Sequence, residues 1–66
     1  MRKVIPSDVY DSEGNLMRID FYTEDGKCEI DALWDPSDPQ DTEHRIAFRK
    51  WAYDFIERNK DYKVVV

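Results

Sequence analysis

The chain has 66 residues, of which 41% are hydrophobic, 14% aromatic and 38% charged. A chain this short buries only about 60% of its unfolded surface and forms one small domain, here residues 1–66, which excludes a two-domain enzyme. Its 10 Lys and Arg against 15 Asp and Glu residues give a formal net charge of -5, which disfavours direct binding of nucleic acid and favours a basic protein surface as partner.

The first turn is predicted near Gly14. The segment from Val9 to Leu16 is rich in the turn residues Asp, Ser, Gly and Asn. Gly14 or Asn15 can take the left-handed backbone conformation that closes a four-residue loop. Strands on both sides of this loop would form the first half of an antiparallel meander.

A second hairpin is predicted at Asp25-Gly26, which suits a two-residue type I′ turn. Counting outward from this turn aligns the apolar side chains of both strands on one face, and a one-residue slip would scatter them. Cys28 falls on that face, where a thiol behaves as a small buried hydrophobe. The opposed pairs are Glu24–Lys27, Thr23–Cys28, Phe21–Ile30, Ile19–Ala32 and Met17–Trp34.

One long helix is predicted to follow the strands. Asp38 suits the N-cap and Pro39 the first helical position, and no Gly or Pro interrupts the segment from there to about Asn59. At about 100° per residue the apolar side chains form one stripe, which is expected to pack on the sheet. The residues of this predicted stripe are His44, Ala47, Phe48, Trp51, Ala52, Phe55 and Ile56.

The last predicted element is a short strand in the β-branched segment 62–66. After the helix, the chain is expected to return so that this strand pairs beside the first one. The predicted fold is therefore α+β with two layers: a three-stranded antiparallel meander, one long helix packed on the sheet, and a short C-terminal strand, in the order β-β-β-α-β.

The second face of the hairpin carries an unusual arrangement of charge. Asp20 and Asp31 are predicted to lie directly opposite each other, and like charges in a cross-strand pair destabilise a sheet unless they are neutralised. Such a face could bind Lys or Arg of a partner protein. Alternatively, Arg18 neutralises Asp31 and the face is ordinary solvated surface. The candidate partner-binding residues here are Arg18, Asp20, Tyr22, Glu29 and Asp31.

The helix face opposite the predicted stripe is a second candidate surface. Ile46 and Tyr53 lie there with Arg49 between them, and Tyr and Arg are common anchors of protein interfaces. Isolated exposed apolar side chains are also normal on soluble proteins. Both interpretations of this face stay open.

The sequence carries no pattern of catalytic or metal-binding residues. His44 is the single histidine, and it lacks the neighbouring nucleophile that a catalytic triad needs. Asp35, Asp38 and Asp41 lack the alternating ligands, central Gly and terminal Glu of a calcium loop, and they suit turn and capping roles. We therefore expect no enzymatic activity, no metal and no cofactor.

Two functions remain after these exclusions. The first is a small acidic protein-binding module that docks its hairpin face on a basic protein surface; in size and charge it resembles phage-borne and plasmid-borne inhibitors, including those that mimic nucleic acid. The second is a self-associating structural subunit, a homodimer joined through the strand edge at 64–66 or through the outer helix face. The lone Cys28, and apolar runs too short for a signal peptide or a membrane span, predict a cytoplasmic protein that binds no membrane.

Overall fold

The computed structural model describes residues 2–66, which form four strands and one helix. In chain order these elements are β1 (Arg2–Tyr10), β2 (Leu16–Thr23), β3 (Cys28–Leu33), α1 (Thr42–Asn59) and β4 (Tyr62–Val64). The predicted α+β fold, with its order β-β-β-α-β, is confirmed. Within the described residues, α1 does not combine the length and the apolar character that a membrane-spanning helix requires.

The strands form one sheet in the order β3-β2-β1-β4. β1 pairs antiparallel with β2, and β2 pairs antiparallel with β3, which is the predicted meander. β4 pairs parallel with β1 and places Val64 opposite Val4, so the final strand lies beside the first one as predicted. β3 and β4 are therefore the two edge strands of the sheet.

Both hairpin loops share one architecture, which differs from the predicted turns. Gly14 and Gly26 adopt φ values of 83° and 86°, and each donates its N–H to the carbonyl three residues earlier. The N–H of Thr23 bonds to the carbonyl of Lys27 at 2.8 Å, and Asp11 makes the equivalent bond in the first loop. Each loop is thus a three-residue turn closed by a left-handed glycine, rather than the four-residue and two-residue loops expected.

A β-bulge at Glu29 restores the predicted register of the second hairpin. The half-buried Tyr22 lies opposite Cys28, whereas Phe21 lies opposite Ile30, so β3 has one extra residue between these pairs. From Phe21 toward the far end of the hairpin, the predicted pairing is confirmed. The expectation that Cys28 points into the core is wrong, because its pairing with Tyr22 places it on the face away from the helix, where it is exposed.

α1 begins three residues later than predicted. Its N-cap is Asp41 rather than Asp38, and Asp41 Oδ1 accepts a hydrogen bond from the His44 backbone N–H at 2.8 Å. The side chain of Gln40 bonds to the backbone N–H and C=O of Leu16 at 2.9 and 3.0 Å. These two bonds hold residue 40 against the start of β2, so the helix starts only after it.

The core lies between the sheet and one face of α1, but this face is not the predicted stripe. Ala52 and Ile56 are buried, whereas Trp51 and Phe55 are 55% and 41% exposed. His44 and Ala47, also assigned to the stripe, are exposed as well. Tyr53, expected on the outer face, packs against the core instead. The buried hydrophobic residues are Val4, Leu16, Ile19, Phe21, Ala32, Trp34, Ala52, Ile56 and Val64.

Two arginines of α1 bind groups of the strands and of the first loop. Arg49 donates to Asp8 Oδ2 through both Nε and Nη2, at 3.0 and 2.7 Å. Arg45 donates to the carbonyl of Gly14 at 3.1 Å. Asp8 lies opposite the buried Ile19 and so belongs to the helix-facing side of β1. Both arginines therefore reach toward the sheet, and the large aromatic side chains on the next part of the helix surface are left outside the core.

Candidate protein-binding surface

Four aromatic side chains form a continuous row from the end of β3 along α1. Trp34 packs edge-on against Phe48, with ring centroids 5.0 Å apart. Phe48 stacks on Trp51 at 6.0 Å, and Trp51 lies against Phe55 at 5.7 Å. We refer to these four residues as the aromatic row. Because Trp34 is buried and Trp51 and Phe55 are exposed, the row passes from the core to the surface.

Helical spacing and the end of the hairpin together build this row. Phe48, Trp51 and Phe55 are three and four residues apart, so they lie on one side of α1. Trp34 continues the ladder of β3, since its backbone N–H bonds to the carbonyl of Met17 at 3.0 Å. Its buried indole N–H meets no acceptor among residues 2–66, and its ring packs edge-on against Phe48.

An open groove of about 340 Å³ lies between the helical part of the row and the end of β3. Leu33, which is 68% exposed, is one of its apolar residues, and Asp35 and Asp38 add carboxylates. Apolar surface bordered by negative charge suits a ligand with an apolar part next to a positive one. The residues that line the groove are Leu33, Asp35, Asp38, His44, Ala47, Phe48 and Trp51.

Hydrogen bonds stabilise the negative charge around this groove. Asp35 Oδ1 accepts bonds from the backbone N–H and the hydroxyl of Ser37, at 3.0 and 2.8 Å, and these bonds lower the pKa of Asp35. Asp41 Oδ1 accepts from the backbone N–H of His44 and lies 2.7 Å from its Nδ1. The same bonds lower the pKa of Asp41 and raise the pKa of His44. Asp35 and Asp41 therefore stay ionised at neutral pH.

A free sheet edge adjoins the groove. The backbone N–H of Trp34 bonds to Met17, and hydrogen-bonded pairs alternate with non-bonded pairs along antiparallel strands. Asp31 and Leu33 fall in the non-bonded positions opposite β2. Their N–H and C=O groups consequently point away from the sheet, toward solvent.

The structure divides the residues predicted on the hairpin face. Asp20 and Asp31 lie directly opposite each other, as predicted. Asp20 is only 7% exposed, and its Oδ1 lies 2.9 Å from Arg18 Nε. The alternative in which Arg18 neutralises Asp31 is therefore wrong, because Arg18 binds Asp20. Glu29 forms an ion pair with Arg2. Asp31 is exposed, and within residues 2–66 it takes part in no ion pair.

The residues predicted on the outer helix face do not form one exposed surface. Ile46 is 52% exposed, as expected. Arg49 is bound to Asp8, and this bond raises the pKa of Arg49. Tyr53 packs edge-on against Phe21 with ring centroids 5.9 Å apart, and burial raises the pKa of Tyr53. The expectation of an outer face shared by these three residues is wrong, although their contact with a partner stays a prediction.

Sequence reasoning missed the exposed part of the aromatic row, because it assigned Trp51 and Phe55 to the core. One signal could have revealed it: apolar residues between 46 and 56 occupy more of the helix circumference than a single sheet-facing stripe. A helix that lies on so small a sheet cannot bury all of them. Some large apolar side chains of α1 must therefore face solvent.

No group of three or more His, Cys, Asp or Glu side chains in the described part of the chain is placed to hold a metal ion. No model of a known protein family, no curated protein and no solved structure matches the chain. The chemistry of the aromatic row, the groove and the β3 edge is therefore the basis for a functional assignment.

Proposed function

We propose that this chain is a small, non-enzymatic protein-binding domain that docks its aromatic row and the neighbouring carboxylates on a basic surface of another protein. The exposure of Trp51 and Phe55, at 55% and 41%, carries this proposal. Large aromatic side chains bury a great deal of apolar area when they meet a partner, and they are enriched at the centres of interfaces. Because Trp51 rests on Phe48 and Phe55 rests on Trp51, both rings are held in place before a partner arrives.

The charge around the row indicates the class of partner. Asp35 and Asp38 line the groove beside Trp51, and the chain has a net charge of -5. A Lys or Arg side chain can lay its aliphatic stem on an aromatic ring while its cationic end meets a carboxylate. We therefore expect a partner surface that combines basic residues with at least one apolar anchor.

This proposal shifts the main contact from the hairpin face to the groove. Asp31 remains part of it, since it is exposed on the same edge strand, on the sheet face away from the helix. An inhibitor of the phage-borne or plasmid-borne kind, acting in the cytoplasm, is the biological form that we propose. The small size, the negative charge and the single thiol of Cys28 favour that form.

Selection of random peptides from a display library against the immobilised domain tests the proposal. We expect the recovered peptides to be rich in Lys or Arg together with aliphatic or aromatic residues. Their affinity should fall as salt is raised, and Trp51→Ala should weaken binding by about tenfold or more, as the loss of an interface anchor does.

Ile5→Ala is the matched control for this experiment. Ile5 is 50% exposed and lies on the sheet face away from the helix, since its partner Tyr22 does. We expect its truncation to leave binding unchanged. Equal affinity of the Trp51→Ala variant and the unaltered domain, or recovery of peptides without basic residues, would contradict the proposal.

Self-association is a second candidate function, which the exposure of the C-terminal edge favours. β4 is an edge strand, and Val65 and Val66 beyond it are 41% and 93% exposed. In that case sedimentation equilibrium should show a concentration-dependent dimer. If the strand edge is the contact, Val65→Lys should abolish the dimer; if the helix face is the contact, Ile46→Lys should abolish it. A monomer at all concentrations would exclude this function.

A further inference from the structure

We infer that the partner segment is extended and adds to the free edge of β3 as a further strand, with Lys or Arg residues alternating with apolar ones. This inference rests on the proposed function, and it specifies the conformation and the residue pattern of the segment that is bound. A strand added to a sheet edge gains affinity from main-chain hydrogen bonds and specificity from alternate side chains.

The edge of β3 is open to such pairing. The N–H and C=O groups of Asp31 and Leu33 point away from β2, as the alternation of hydrogen-bonded pairs requires. The six residues of β3 include no Lys and no Pro, which are common protections of an edge strand. The bulge at Glu29 lies at the loop end of β3, so residues 30–33 keep a regular ladder.

The two faces of an added strand would meet different chemistry. Side chains alternate between the faces of a strand, so every second one would lie on the side of the helix. There the groove offers Phe48 and Trp51, which suit an apolar side chain. The remaining side chains would lie on the face that carries Asp31, whose carboxylate suits Lys or Arg. Asp35 and Asp38 provide further negative charge in the groove itself.

Charge favours a basic partner over a second copy of the chain. Two β3 edges in antiparallel contact would bring Glu29 and Asp31 of both copies together, and each copy has a net charge of -5. A basic segment instead neutralises the exposed carboxylate. Strand β4 of a second copy would also fit the edge of β3, since it alternates a basic residue with apolar ones in Tyr62, Lys63 and Val64. One outcome of the experiment below identifies this form of self-pairing.

The probe is a synthetic peptide in which Lys and Val alternate. It has six residues, the same length as β3. In an NMR titration we expect the amides of Asp31 and Leu33 to shift and to become protected from hydrogen exchange. Methylation of alternate peptide nitrogens should weaken binding about tenfold, because it removes the donors that pair with the edge. A peptide of the same composition with its Lys residues grouped at one end should bind about tenfold more weakly as well.

Leu33→Pro tests the same edge from the side of the protein. Proline at an edge position removes the outward N–H, and Leu33→Ala is the control for loss of the side chain alone. We expect Leu33→Pro to bind the alternating peptide about tenfold more weakly than Leu33→Ala. If Leu33→Pro does not fold, the methylated peptide still decides the question.

The outcomes separate this inference from the proposed function. One outcome would overturn strand addition and leave the proposed function standing. In that outcome Trp51→Ala loses binding, while the Leu33→Pro variant binds the peptide, or the unaltered domain binds the methylated peptide, with undiminished affinity. Failure of the alternating peptide to bind would overturn strand addition too. Concentration-dependent protection of Asp31 and Leu33 in the free domain would identify a second copy as the occupant and overturn the basic partner.

Discussion

Replacement of Trp51 by Ala tests which face of α1 packs on the sheet. The hydropathy pattern assigns Trp51 to the core, whereas in the structure it is 55% exposed. Truncation of a fully buried Trp to Ala costs about 3–5 kcal/mol, which is as much as a core of this size supplies in total, about 3–5 kcal/mol. If Trp51 were a core residue, the variant would not fold.

The observed exposure predicts a much smaller cost. Slightly less than half of the Trp51 surface is hidden, which scales the packing loss to about 1.5–2 kcal/mol. The higher helix propensity of Ala offsets up to about 0.7 kcal/mol of this loss. We therefore expect Trp51→Ala to lower the free energy of unfolding by about 1 kcal/mol. Ile56→Val, at a residue that is 2% exposed, should cost a similar amount, about 0.5–1.5 kcal/mol.

Urea unfolding followed by far-UV circular dichroism measures both changes, because this signal does not depend on the indole that is replaced. We expect a cooperative transition for Trp51→Ala with a midpoint close to that of Ile56→Val. The more severe Ile56→Ala should cost about 2–5 kcal/mol and come close to unfolding the domain. A folded Ile56→Ala beside an unfolded Trp51→Ala would refute the orientation of α1.

Two further predictions concern ion pairs of α1. The hydrogen bond to Asp41 raises the pKa of His44 in the folded domain, so its contribution to stability is present below the ordinary pKa of 6.5 and is lost as pH rises through the raised pKa. The bonds from His44 lower the pKa of Asp41 in the folded domain. The contribution of Asp41 is therefore present above its ordinary pKa of 3.8 and is lost as pH falls through the lowered pKa. The urea midpoint should therefore be higher at about pH 5.5 than at about pH 8.5, and a His44→Gln variant that keeps this difference would disprove the assignment. The second prediction concerns Asp8 and Arg49, whose side chains are 23% and 30% exposed. A double-mutant cycle with Asp8→Asn and Arg49→Gln should give a coupling free energy of about 1 kcal/mol. A coupling free energy near zero would show that this pair does not orient the helix.

The pairing of β2 with β3 could be predicted because strand patterns have a period of two. A slip of one residue would place Phe21 and Ile30 on opposite faces of the sheet, so the pattern admits one register. The loop itself could not be predicted in the same way. Gly26 suits both a two-residue and a three-residue turn, and the bulge at Glu29 hides the difference from the rest of the hairpin.

The face of α1 that packs on the sheet could not be predicted from hydropathy. Such a pattern treats Arg49 as a solvent-facing residue, yet it binds Asp8, which lies 41 positions away in the sequence. The net negative charge of the chain was predictable from its composition, whereas the position of Asp35 and Asp38 at the groove was not. The apolar part of the candidate surface could not be predicted, because hydropathy assigns Trp51 to the core, whereas in the structure Trp51 is 55% exposed.

The position of β4 has a consequence for how the domain folds. β1 pairs with the adjacent β2, but Val4 also pairs with Val64 from the far end of the chain. Contacts of large sequence separation form slowly, because the loop entropy is lost before the contact stabilises the chain. We expect the hairpins to form first, with Ile19 and Phe21 open to water until α1 and β4 dock. During synthesis these side chains stay unprotected until β4 leaves the ribosome, so the nascent hairpins are the form most prone to aggregate.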